Sequence, residues 1–304
     1  MPAERRFGMD HEHYDWSPLN TRGILRWPEN ARVALCVVIN LEHMEWSPPQ
    51  DSYTTPLAGG LGARGFPDYA RFSHREYGHR VGIFRVLDAL EAHGIKPTVA
   101  MDSQTAENYP YLVDHCLKRG CEIIGHGISV SRMITSNMSE AEELEYIQES
   151  VEAIKRVTGA VPAGWLGPEY GESSSTPRLL ARAGIRYVCD WANDEQPYPL
   201  KVPQGQLFAL PIMLELDDVH ALWNRKVTIN RYRELLKGSF DTLYHDGETN
   251  GRVLVLNLHP WLIGQPFRIG HLNEALGHMV RRQGVWAASG AEIVDWYQRN
   301  LPVD

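Results

Sequence analysis

Apolar, β-branched runs alternate with helix-period segments along nearly the whole chain. That alternation restricts the fold more than any other feature of the sequence. Residues 32–41 are apolar almost throughout, as expected of a strand buried on both faces. Residues 77–93 then place Val81, Phe84, Leu87 and Leu90 at helical spacing, and Gly94 ends the pattern. Residues 97–101 and 122–125 read as strands, with a helix over 108–119 between them that Gly120 stops. Ser139-Glu140-Ala141-Glu142 is a capping box, in which the serine hydroxyl and the glutamate each satisfy an orphan helix N–H. The helix it opens is predicted to bury Leu144, Ile147, Val151, Ile154 and Val157 before Gly159 ends it. Residues 163–166, 187–190, 207–216 and 252–258 read as strands, and 176–183, 230–245 and 270–282 as helices. Residues 285–288 and 291–299 make a last strand–helix pair. Seven or eight such alternations imply parallel pairing, because each crossover needs a helix. The expected fold is α/β: a single barrel-like β/α domain over residues 31–304. Residues 1–30 form an N-terminal arm packed on it, because Tyr14, Trp16 and Trp27 need surface to bury. Residues 47–70 form a Pro/Gly-rich loop of a length uncommon unless functional, for instance as a lid.

Composition removes several classes. A net charge of −8 argues against general affinity for nucleic acid. Apolar residues at 43% and charged residues at 22% fit a soluble globular enzyme. The four cysteines contain no C-x-x-C pair, and Cys116 and Cys121 lie five apart, so a zinc ribbon is not supported. Cys36 and Cys189 sit in strand-like runs and read as small core residues. No segment reaches the roughly 18 apolar residues of a membrane span, and the first ten residues have no apolar signal core. A reducing cytoplasm, without membrane or nucleic-acid partners, is the expected setting.

Three strand ends carry chemistry-bearing side chains. Glu42 and His43 follow the first strand, His126 follows 122–125, and His259 follows 252–258. In α/β proteins the chemistry collects at the C-terminal ends of parallel strands. Glutamate and histidine are the residue types that move protons or hold metals. Each has a plain structural alternative. Glu42 is a catalytic carboxylate or an ion-paired one. His43, adjacent to it, would point the other way on a strand, and is a ligand or a loop histidine. His126 lies between two glycines that permit close backbone approach. Arg132 either orients a planar carbonyl or carboxylate of the substrate, or pairs with acids of the following helix. Trp165 and Trp261 either wall a pocket or pack the core. Asp190 positions a polar substrate or caps a loop. Gly59-Gly60-Leu61-Gly62 lacks the strand–helix context of a phosphate cradle.

Taken in order, several short motifs resemble the polysaccharide deacetylase (NodB-homology) superfamily. They are Asn40-Leu41-Glu42, Tyr77-Gly78 with Arg80 and Gly82, Gly125-His126-Gly127, and Gly164-Trp165. Cys189-Asp190 leading to Pro197-Tyr198 follows, and then Leu258-His259 with Leu262-Ile263-Gly264 and Pro266. The likeness is to its cytoplasmic branch, which includes allantoinases of polysaccharide-deacetylase type and related cyclic-amide hydrolases. The resemblance implies a distorted (β/α) barrel of NodB-homology type. It puts Glu42 at the general base, His43 where an aspartate binds a divalent metal, and His126 at the first histidine of an H-x-x-x-H pair. The second histidine of that pair falls on Val130, which cannot coordinate. Glu169 falls near an arginine of the relatives, and His259 at the general acid.

The expected site therefore has Glu42 and His259 as catalytic residues and His43 and His126 as candidate metal ligands. Arg132, Trp165, Glu169, Asp190 and Trp261 are expected at the substrate. The cofactor is either none or one divalent metal, zinc where a metal is bound. Hydrolysing an amide needs an activated water, a stabilised oxyanion and a proton for the leaving nitrogen. With one metal ligand lost, a strained or activated ring amide is easier to open than an unstrained acetamide. The expected activity is thus hydrolysis of a non-peptide C–N bond in a small cyclic amide, imide or ureide, and the resemblance implies a homo-oligomer. The alternatives are a metal-dependent N-acetyl-sugar deacetylase and an inactive binding protein of the same fold.

Overall fold

The computed structural model describes residues 11–49, 52 and 66–300. Strand β1 (Val33–Leu41) is followed by helix α1 (Tyr69–Tyr77), which runs through a π-helical stretch, Gly78–Gly82, into α2 (Ile83–Glu91). Then come β2 (Thr98–Met101), α3 (Ser103–Asn108), α4 (Pro110–Lys118), β3 (Glu122–Gly125) and α5 (Glu140–Thr158). After these follow β4 (Gly164–Trp165), α6 (Thr176–Arg182), β5 (Tyr187–Val188), β6 (Tyr198–Leu200) and β7 (Leu207–Ala209). The chain continues through α7 (Ile229–Asp246), β8 (Arg252–Leu258), α8 (Pro260–Ile263), α9 (Ile269–Val280), β9 (Val285–Ala287) and α10 (Gly290–Arg299).

The strands form one curled sheet in the order β6-β7-β5-β4-β3-β2-β1-β8, with β9 also on β1. All pairings are parallel except β6 with β7. The sheet is a half-barrel. Its open side is bridged by loop backbone: Val253 N–H donates to Glu195 C=O at 2.8 Å, and Met213 N–H to Val255 C=O at 3.3 Å. Alternate residues of β1 serve two cores. Val33, Leu35, Val37 and Ile39 pack under the outer helices. Ala34, Cys36 and Val38 fill the barrel interior with Tyr187, Cys189 and Phe208. This is why that run is apolar throughout. In the arm, Trp27 is buried and donates Nε1–H to Arg252 C=O at 2.7 Å, and His13 C=O accepts from Lys201 N–H. Trp16 is exposed, against expectation.

Local boundaries moved for identifiable reasons. The helix expected from residue 77 opens at Tyr69, where Asp68 accepts the Arg71 N–H as an N-cap. The helix expected over 108–119 is α4, opening at Pro110; an unanticipated α3 precedes it and ends at Tyr109, because the residue before a proline is driven out of the α region. The strand expected over 207–216 keeps three residues. Its antiparallel partner β6 was hidden by Pro199, a residue tolerated in an edge strand. Both bonds of the Ser139–Glu142 capping box form, and α5 buries Ile147, Val151 and Ile154, with Leu144 and Val157 half-buried. Most of the 47–70 loop lies outside the described residues.

Candidate active site

The C-terminal ends of β1, β3 and β8 bring Glu42, His126 and His259 together. Asn40 aligns two of these ends: its Nδ2–H donates to Asn257 Oδ1 (2.6 Å) and to Leu258 C=O (3.2 Å). His126 leaves β3 ahead of Gly127, whose φ is +67° and where a Cβ would lie 2.0 Å from the Tyr146 hydroxyl. Only glycine fits there. His126 Nδ1–H donates to Leu166 C=O, which turns Nε2 toward Glu42 Oε1 at 3.3 Å. His259 Nε2 lies 3.9 Å from the same Oε1. On its other side, His259 Nδ1–H donates to Asp218 Oδ1 at 2.7 Å, and the His259 main-chain N–H reaches both Asp218 oxygens. Arg75 of α1 donates Nη1–H to Glu42 Oε2 at 2.8 Å, with its guanidinium 4.3 Å above the Trp261 ring.

Burial alone would raise the Glu42 carboxyl. The charge of His259, the His126 hydrogen bond and Arg75 outweigh it and hold the group well below the ordinary carboxylate range. Burial likewise works against a charged His259, but Asp218 and then Glu42 pull its pKa up to about 9. The pair at neutral pH is therefore a carboxylate beside an imidazolium. That is the state required of a base and an acid acting in one step.

Other expected residues sit differently. His43 is half-buried against Tyr109, and its main chain is what the structure uses: its N–H donates to Asp102 Oδ2 at 2.6 Å and its C=O accepts from Val130. Arg132 is exposed and forks onto Glu45 (2.7 and 3.1 Å) instead of the following helix. Trp165 is fully buried in the core, packed behind Gly125. Glu169 is exposed on a turn with φ of 54°. Asp190 is half-buried just beyond β5 and accepts the Gly167 N–H at 2.8 Å, so it caps that loop. Sequence reasoning missed Arg75, which lay outside the expected helix. It also did not identify Asp218 as the partner of His259.

The residues do not fit a divalent metal. Among the described residues, the one group of three metal-type ligands with atoms mutually within 4.8 Å is Asp217, Asp218 and His259. Its donors are already committed. Asp217 accepts from Tyr170 Oη (2.7 Å), Asn257 Nδ2 (2.7 Å) and the His220 N–H (2.8 Å), and Asp218 is taken by His259. Around Glu42, a cation would face the Arg75 guanidinium and the His259 imidazolium, and the Val130 side chain offers no ligand.

Residues 76–188 match the polysaccharide deacetylase family profile. Over this stretch the chain is similar to a polysaccharide deacetylase domain. A Schizosaccharomyces pombe protein placed among the polysaccharide deacetylases is 26% identical, over 91% of this chain and 93% of its own. The peptidoglycan deacetylase of Helicobacter pylori is 23% identical over 81% and 94%. The crystal structure of PuuE allantoinase superposes with a TM-score of 0.80 at 26% identity, covering 91% of this chain and 94% of that one. The protein accordingly belongs among hydrolases of carbon–nitrogen bonds other than peptide bonds. No helix among its described residues is long and apolar enough to cross a membrane.

Asp218→Asn tests the electrostatics of the domain. Turnover that depends on protonated His259 is lost as pH rises through about 9. Asparagine removes the largest force raising that value. The alkaline limb of kcat/KM is expected to move down by about one pH unit or more. An unmoved limb in the pH–rate profile would show that another group sets it.

Proposed function

We propose that the protein hydrolyses a C–N bond of a small amide, most specifically a cyclic amide, imide or ureide, with Glu42 as general base and His259 as general acid. The observation that carries this is the Asp218–His259–Glu42 alignment. A buried carboxylate holds an imidazolium whose free Nε2 faces a second, ionised carboxylate. Glu42 Oε1 takes a proton from water, and the water oxygen attacks the carbonyl carbon. His259 Nε2 gives its proton to the nitrogen as the C–N bond breaks, leaving a carboxyl group and a free N–H group. No metal enters these steps. A ring amide suits such a site, because ring strain or flanking carbonyls supply activation that an acetamide lacks. The PuuE allantoinase likeness supports this reading.

The deacetylase relatives favour a second reading, removal of an acetyl group from an N-acetyl sugar. The net charge of −8 supports a small-molecule partner over nucleic acid. We extend the proposal to a cytoplasmic homo-oligomer on the resemblance to the allantoinase branch.

The two readings separate in one experiment. Purified protein, with and without a chelator, is offered allantoin, hydantoin, cyclic imides and N-acetylglucosamine oligomers. Ring opening within about twofold of the untreated rate in chelator is expected, since no step needs a metal. Chelator-sensitive release of acetate instead would establish the sugar deacetylase.

A further inference from the structure

We propose that Arg75 is a further catalytic residue, the group that receives the carbonyl oxygen of the substrate and stabilises the oxyanion of the tetrahedral intermediate. The inference rests on the amide-hydrolase reading above. When water adds to an amide, a full negative charge develops on the former carbonyl oxygen, and donors preorganised toward it supply much of the catalysis. The two histidines of the site are already engaged. His259 donates Nδ1–H to Asp218 and keeps Nε2–H for the leaving nitrogen. His126 is tied to Leu166 and Glu42.

Arg75 is not used up. A guanidinium has five N–H donors in one plane. Among the described residues its one hydrogen-bond partner is Glu42 Oε2. The side chain is 10% exposed, and its unused donors are not among the fully sealed polar atoms, so a bound substrate can reach them. The Trp261 ring at 4.3 Å fixes the guanidinium plane, and Trp261 is itself held by the close approach of Gly78 to its backbone. Trp261 adds a buried indole N–H that has no hydrogen-bond partner among the described residues. The arrangement places a rigid cation with free donors against the same carboxylate that activates the water. An oxygen bound by Arg75 therefore has its carbon within reach of that water. As charge builds on this oxygen, Arg75 is shared between it and Glu42. Its hold on Glu42 loosens, and the carboxylate becomes more basic while it is accepting a proton.

The test uses Arg75→Ala and Arg75→Lys in the full chain, on whichever amide the wild type turns over. Ring amides and N-acetylglucosamine oligomers are both offered. Arg75→Ala is expected to lower kcat by about 10²–10³-fold with KM changed only a few-fold, and added guanidinium should restore part of kcat with saturation. Arg75→Lys should remain at least about tenfold impaired, because an ammonium cannot hold Glu42 and a second oxygen in one plane. It carries the test if the alanine variant does not fold. A kcat within threefold of wild type in either variant overturns the proposal. So does a loss that vanishes at higher pH, because Arg75 would then act only by keeping Glu42 ionised. Turnover of the sugar alone removes the cyclic-amide reading and leaves Arg75 to be judged on the sugar. A wild type that hydrolyses neither class overturns both.

Discussion

Glu42→Gln is expected to reduce kcat by about a thousandfold, within the ~10²–10⁴ range of general-base catalysis, while the protein stays folded. Glutamine keeps the size of the side chain and an oxygen for Arg75, so the geometry at 2.8 Å is preserved. It removes the charge and the ability to take a proton. The loss should therefore fall on kcat and not on substrate binding. A second effect follows from the same charge. Glu42 is the next contributor after Asp218 to the raised pKa of His259, so the alkaline limb of any residual activity should begin below about 9. Stability should respond with a definite sign. The folded-state pKa of His259 lies above its unfolded value of about 6.5, so its ionic contribution is fully present below that pH and is lost as pH rises through about 9. Glu42 is shifted the other way, and its contribution is present above the unfolded carboxylate value and lost in acid. Thermal melts of wild type and variant should differ most near pH 6 and less toward pH 10, where His259 is neutral and the Arg75 and His126 contacts of Glu42 remain. A variant with wild-type kcat would remove Glu42 from the chemistry altogether.

The parts of this site that could be read from sequence are those attached to regular structure. Glu42, His126 and His259 each follow an apolar strand whose end is visible in the residue pattern, and the observed strands β1, β3 and β8 end where expected. Asp218 comes from the irregular segment after the three-residue strand β7, where no periodicity marks which carboxylate faces inward. Arg75 lies on a helix whose first turns are polar, so the hydrophobic pattern began too late to include it. His43 shows the limit of adjacency: next to Glu42 in sequence, its ring faces Tyr109 and its main chain is what is bound. Trp165 and Arg132 depended on partners far away in the chain, Gly125 and Glu45, that local spacing does not identify.

Gly82→Ala should couple the fold to the chemistry most directly. Gly82 lies in the π-helical stretch between α1 and α2, with ordinary helical neighbours, so its conformation does not demand glycine. Its surroundings do. A Cβ there would stand 2.0 Å from Pro260 C=O oxygen and 2.7 Å from its carbon. Both atoms are backbone, and Gly264 is also packed closely against the Gly82 backbone, so no flexible side chain can yield. Either the π-helical stretch or α8 must shift. Overpacking of this kind typically costs about 1–3 kcal/mol, and two backbone contacts put it at the upper end. For a chain of this size that is a fall in Tm of up to roughly 5 °C. The functional loss should exceed what stability predicts. Pro260 directly follows His259, so displacing α8 moves the imidazole relative to both Asp218 and Glu42, and a misplacement of about 1 Å can cost ~10²-fold in rate. Gly238→Ala is the matching control. It is an exposed position in α7 with nothing within 4 Å of the new Cβ, and alanine there should stabilise by about 0.5–1 kcal/mol with kcat unchanged. If Gly82→Ala matched the control in both melting temperature and kcat, the contact between the π-helical stretch and α8 would not be what positions His259.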